Sequence, residues 1–153
     1  MTQECLTLTL YKMKNPMHAT PTTVPVMIKE GSLFKKGAGG GLLHRSNWKR
    51  RYFKLTENEL LYFDPTDGRL KGALNLSACG HGSLEIQPED CTKTGTSASS
   101  GVWRFALRTP SRRLVLAAKT EDGMTAWIQA LQAVLDANEV KSTHIQQRMP
   151  STL

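Results

Sequence analysis

Acidic residues are almost missing from one stretch of this chain. Between Ile28 and Lys54, Glu30 stands alone against Lys29, Lys35, Lys36, Arg45, Lys49, Arg50, Arg51 and Lys54, so the stretch carries 8 − 1 = +7, the formal net charge of all 153 residues. The remainder sums to zero. A local excess of this size points to an anionic partner: nucleic acid, an acidic membrane surface or an acidic protein. Cysteine is scarce as well. Cys5, Cys79 and Cys91 are odd in number and lack paired spacing, which excludes a disulfide scaffold and fits a reducing compartment. Adding His81 makes three metal donors without a C-x-x-C pair, so neither a metal nor any other cofactor is expected. Every apolar run is broken well before the ~20 residues of a bilayer span, and M-T-Q-E-C has no cationic region ahead of an apolar one; a soluble, cytosolic chain is expected. Gly39 to Gly41 lack a Walker pattern, and no nucleophile signature occurs, so the expected role is not enzymatic.

The length suits a single domain with a core and some tail. Residues 1–25 hold the alternation Leu6, Leu8, Leu10 and then a run containing three prolines, read as an extended arm and linker. From Met27 onward the pattern becomes short β-type runs at 27–36, 48–55, 59–64, 72–76, 83–87, 102–108 and 113–118, punctuated by turn residues such as Asp64-Pro65-Thr66-Asp67-Gly68. Close spacing of this kind means antiparallel meanders. Thr120, followed by Glu121 and Asp122, then marks a capped helix start. Met124, Trp127, Ile128, Leu131, Val134 and Leu135 form one apolar stripe along that helix. The boundaries expected are an arm over 1–25, one domain over 26–139 and a flexible polar tail over 140–153.

Residues 47 to 55, N-W-K-R-R-Y-F-K-L, combine strand-forming aromatics with four cations. Alternation places Lys49, Arg51, Phe53 and Leu55 on one face and Trp48, Arg50, Tyr52 and Lys54 on the other. The first of these faces runs from cationic to apolar. Such a gradient fits a strand whose far end enters a core while its near end opens to solvent, with two cations ~7 Å apart at the mouth. Tyr52, Phe53 and Phe63 are needed by the sheet, leaving no exposed stacking platform, so nucleic acid is not expected as the partner.

K-E-G-S-L-F-K-K, W-K-R-R-Y-F-K-L, L-L-Y-F-D and the helical T-A-W-I-Q-A-L together resemble the pleckstrin homology (PH) domain over about Ile28 to Asn138, with Trp127 matching the family's helix tryptophan. The resemblance implies a mainly β, α+β fold in which seven antiparallel strands form a partly open barrel of two orthogonal sheets, capped by one C-terminal α-helix. It also implies a site. The subset that binds 3-phosphorylated inositides carries a basic residue late in the first strand, K-x-R in the second and a tyrosine in the third, matched here by Lys35, Lys49 with Arg51, and Tyr62; Lys71 matches a further basic contact. Parity favours Lys35 over Lys36, because Leu33 and Lys35 share a face. The loop G-A-G-G-G-L-L-H-R-S-N is long, and its glycines raise the entropy lost on closure. Leu42 and Leu43 are expected to dip into the bilayer interface beside Arg45, with Lys36 and Arg50 adding diffuse attraction. The short turn around Pro110 implies no further contact from that side. The implied function is monomeric recruitment to phosphoinositide-containing membrane at the cytosolic face of the plasma membrane. A protein-interaction adaptor that holds a protein partner is the rival.

Overall fold

The computed structural model describes residues 24–37, 48–89 and 103–148. Its strands are β1 (Met27–Lys36), β2 (Trp48–Thr56), β3 (Glu59–Phe63), β4 (Leu70–Asn75), β5 (Leu84–Ile86), β6 (Trp103–Arg108) and β7 (Arg113–Ala118), followed by the helix α1 (Glu121–Arg148). All seven strands fall within two residues of the runs read from the sequence. Adjacent strands pair antiparallel in the order β4-β3-β2-β1-β7-β6-β5, an unclosed sheet with β4 and β5 at its edges. The two sheets of the expected barrel are thus continuous through β1. That strand pairs with β2 along its whole length but with β7 only at Phe34↔Ala117 and Lys35↔Leu116.

One face of each strand supplies the core. Leu33, Phe53, Leu55, Leu60, Tyr62, Leu74, Phe105, Leu107, Leu114 and Leu116 meet the stripe of α1 in a single buried cluster. The stripe is the expected one, extended by Asn138. Thr120 caps it: its Oγ1 accepts the Gly123 amide at 3.1 Å. Trp127 is 4% exposed and meets Phe53 edge to face at 6.4 Å between centroids, a favoured aromatic geometry. Gly31, the β1 partner of Phe53, lies beside the indole with φ at +155°, a conformation that glycine adopts readily. A Cβ there would stand 3.7 Å from the ring.

Polar ties lock the helix to the strands. Asn138 Nδ2 donates to the Leu76 carbonyl at 2.9 Å and to that of Glu57 at 3.4 Å. After a 3-10 turn at His81–Ser83, Glu139 accepts the His81 amide at 2.9 Å and Asp136 stands 3.0 Å from His81 Nδ1. Glu85 on β5 joins Arg113 and Arg108 at 2.6 and 2.7 Å. The helix continues through Arg148, past the expected domain end at 139, and all of Glu139 to Arg148 is exposed.

Two outcomes follow from this packing. Trp127→Ala removes an indole that the surrounding backbone cannot replace, and chemical denaturation should show a loss of ~3–5 kcal/mol. The His81 imidazole is raised above its ordinary pKa, chiefly by its bond to Asp136 and then by the Asp136 charge. Its contribution is therefore complete below about pH 6.5 and is lost as pH rises through the higher folded value. Melting temperature should fall over that interval, and the fall should be absent in His81→Gln.

Candidate functional site

The end of the barrel away from α1's tryptophan opens into a concavity of about 230 Å³ lined by Lys35, Gly37, Lys49, Arg51, Tyr62 and Lys71. The five side chains singled out from the sequence therefore converge on one cavity. Among the described residues its lining offers cationic and phenolic donors. That chemistry suits holding an anion. A smaller concavity of about 150 Å³ lies between α1 and Ile28. Among the described residues its charged side chains are Glu57 and Lys141, which stand 3.9 Å apart, so the two charges offset each other.

Each element delivers its residue for a local reason. On β2, burial of Phe53 and Leu55, both 0% exposed, commits Lys49 and Arg51 to the same inward face. Across the β1–β2 ladder, Leu33 pairs with Arg51 and Lys35 with Lys49, so the four side chains form two adjacent cross-strand pairs. Tyr62 pairs with Phe53, ring centroids 5.5 Å apart. Its ring is admitted by Gly72, its partner on β4; a Cβ at that glycine would collide with the phenol. The β3–β4 register breaks between Tyr62↔Gly72 and Phe63↔Leu70, which makes Lys71 the extra residue of a bulge and turns it toward the cavity. Lys36 and Arg50 fall on the other face, where Arg50 donates to the Ser32 hydroxyl at 3.3 Å. Leu42, Leu43 and Arg45 lie outside the described residues.

Two charged residues at the site had been missed. Arg112 follows the Pro110 turn, from which no contact was expected, yet its guanidinium donates to the Ala73 carbonyl at 2.9 Å and sits 5.7 Å from the Tyr62 ring centre. The shortness of a turn says nothing about the reach of the arginine that ends it. Asp64 stands 3.4 Å from Arg51 Nη1 and 3.8 Å from Lys71 Nζ. The β2–β3 register carries a signal for it: Tyr52↔Phe63 continues to Arg51 opposite Asp64.

Lys35 is held in an unfavourable setting. Its Nζ lies 5.4 Å from the Tyr62 ring centre, and partial burial lowers its pKa, followed by repulsion from Arg112, Arg51 and Lys49. A lysine whose folded pKa is depressed penalises the fold wherever it is charged in the unfolded chain, a penalty present in full at neutral pH. Lys35→Met should therefore raise the melting temperature at pH 7 while weakening anion binding. A lower melting temperature would show that the ammonium is stabilised as it stands.

Comparison with known proteins gives this geometry a family. A match to the PH domain family model covers residues 27–136. Among curated proteins, the chain is 28% identical over 107 residues to "Protein daughter of sevenless" of Drosophila melanogaster, covering 65% of this chain and 12% of the fly protein. It is 30% identical over 107 residues to diacylglycerol kinase eta of Mus musculus, covering 70% and 7%. The chain thus spans a small part of these relatives. Among solved structures, the C-terminal PH domain of human pleckstrin is 28% identical, with a TM-score of 0.55 over 74% of this chain and 96% of that one. A crystal structure of the carboxyl-terminal PH domain of pleckstrin is 30% identical, with a TM-score of 0.53 over 71% and 96%. The matched segment runs from the first residue of β1 into the buried stripe of α1, and the chain belongs to the PH domain family.

Proposed function

We propose that this PH domain recruits its protein to phosphoinositide-bearing membrane at the cytosolic face of the plasma membrane, with the headgroup phosphates held in the cavity of Lys35, Lys49, Arg51, Tyr62 and Lys71. The observation that carries this reading is the crowding of like charge around a single concavity. Such crowding is unfavourable on its own and is relieved by a multiply charged anion. Arg51 can grip one phosphate with two donors, the lysines act as mobile point charges, and Tyr62 adds a hydroxyl. Lys36 and Arg50 add diffuse attraction, worth ~1 kcal/mol each near an anionic surface. Leu42, Leu43 and Arg45 complete the membrane-facing set. The pattern of basic residues supports the 3,4,5-trisphosphate or 3,4-bisphosphate as the preferred headgroup.

Sedimentation with liposomes of matched surface charge separates a shaped site from simple adhesion. At about 0.15 M salt, where screening extends over ~8 Å, vesicles carrying the 3,4,5-trisphosphate or 3,4-bisphosphate should bind more protein than those carrying the 4,5-bisphosphate. Arg51→Ala should lose at least ~1.5 kcal/mol of that binding with little change in melting temperature. Equal binding to phosphatidylserine alone, unaffected by the substitution, would reject headgroup recognition and favour the adaptor reading.

A further inference from the structure

Asp64 places a fixed negative charge on one rim of the cationic cavity. Its Oδ2 faces Arg51 Nη1 at 3.4 Å and Lys71 Nζ at 3.8 Å. The carboxyl group is anchored by the β3–β4 turn: Oδ1 accepts the Thr66 amide at 3.1 Å, the Asp64 amide donates to the Arg69 carbonyl at 2.8 Å, and the Asp64 carbonyl accepts the Gly68 amide at 3.0 Å. The other side of the cavity differs. The charges that act on Lys35 are those of Arg112, Arg51 and Lys49, all positive. The cavity is therefore polarised, with its Arg51–Lys71 side already shared with an anion and, among the described residues, no ion pair at its Lys35–Lys49 side.

Building on the headgroup-binding reading, we propose that Asp64 is the specificity-determining residue of this cavity: an intramolecular counter-anion that competes with phosphate for Arg51 and Lys71, weakening their hold without abolishing it and shifting the balance toward Lys35 and Lys49. The Thr66 amide, and then the neighbouring Arg51 and Lys71 charges, hold the Asp64 carboxyl below its usual pKa, so the charge persists at neutral pH. Its repulsion of a ligand grows with ligand charge. Asp64 thus discounts the most heavily phosphorylated headgroups most, and narrows a site that would otherwise accept any dense cluster of negative charge.

The test is calorimetric titration of the full chain with soluble inositol 1,3,4,5-tetrakisphosphate, inositol 1,4,5-trisphosphate and inositol 1-phosphate at about 0.15 M salt. Asp64→Asn removes the charge but keeps an acceptor for the Thr66 amide. Asp64→Ser, which keeps a hydroxyl acceptor, replaces it should the asparagine variant melt early. Asp67→Asn is the control, because Asp67 belongs to the same turn but pairs with Arg69 at 3.2 Å. Asp64→Asn should tighten tetrakisphosphate binding on the order of tenfold, the trisphosphate by less and the monophosphate least, while Asp67→Asn changes each by less than about twofold. Binding by Asp64→Asn that is unchanged or weaker, beside intact wild-type binding, overturns the role of Asp64 and leaves headgroup recognition standing. A gain matched by Asp67→Asn also overturns it, reducing Asp64 to one surface charge among several. Absence of binding by wild type and variants alike removes headgroup recognition and this role together.

Discussion

The packing of Trp127 against Phe53 is the contact on which the rest of the molecule depends. It seats the stripe of α1 on one end of the barrel, and it fixes which face of β2 is inside. A strand cannot turn over halfway along its length: a one-residue slip would move every side chain to the opposite face. Once Phe53 and Leu55 are buried beneath the helix, Arg51 and Lys49 must project inward at the far end. Trp48 reinforces this from the other face, where it packs on Ala106 and Val115. The apolar end and the cationic mouth are thus two consequences of one register.

The mouth is assembled at an electrostatic cost and the remainder of the domain offsets it. Burial, and then the surrounding cations, lower the pKa of Lys35, whereas some charges remote from the cavity are paired. Glu85 is kept below its usual carboxyl range, chiefly by its bond to Arg113, with Arg108 contributing, and His81 is drawn upward by Asp136. Unfavourable charge concentrated at one cavity is the kind of arrangement that a bound anion would relieve. Asp64 moderates that imbalance on one side only.

The strands, the helix and its buried stripe were legible because each depends on alternation or on a 3.6-residue period within a short segment. The inward residues of the site followed from the same parity together with the family resemblance: Lys35, Arg51 and Tyr62 share faces with the apolar Leu33, Phe53 and Leu60, and Lys49 follows Arg51 on its face. Lys71 was legible only through resemblance, since its orientation comes from the bulge opposite Tyr62 and Phe63, which local periodicity does not mark. The sequence reading put a polar tail over 140–153 because the sequence from Lys141 lacks an apolar stripe, whereas α1 runs on through Arg148. Helical backbone can continue there by propagation from the packed turns before it.

What the sequence determined by itself was the division of each strand into an inner and an outer face, the stripe of α1 and the placement of excess positive charge, all properties of neighbours along the chain. What only the tertiary structure decided was the company those charges keep. Asp64 beside Arg51 and Lys71, Arg112 against Tyr62, and Gly72 under the phenol ring join residues from different strands and turns. Their contacts depend on the β2–β3 register, the β3–β4 bulge and the approach of the β6–β7 turn to β4. These are set by how the whole sheet folds around its core, because an interaction between side chains acts across the few ångströms of space between them whatever their separation in sequence.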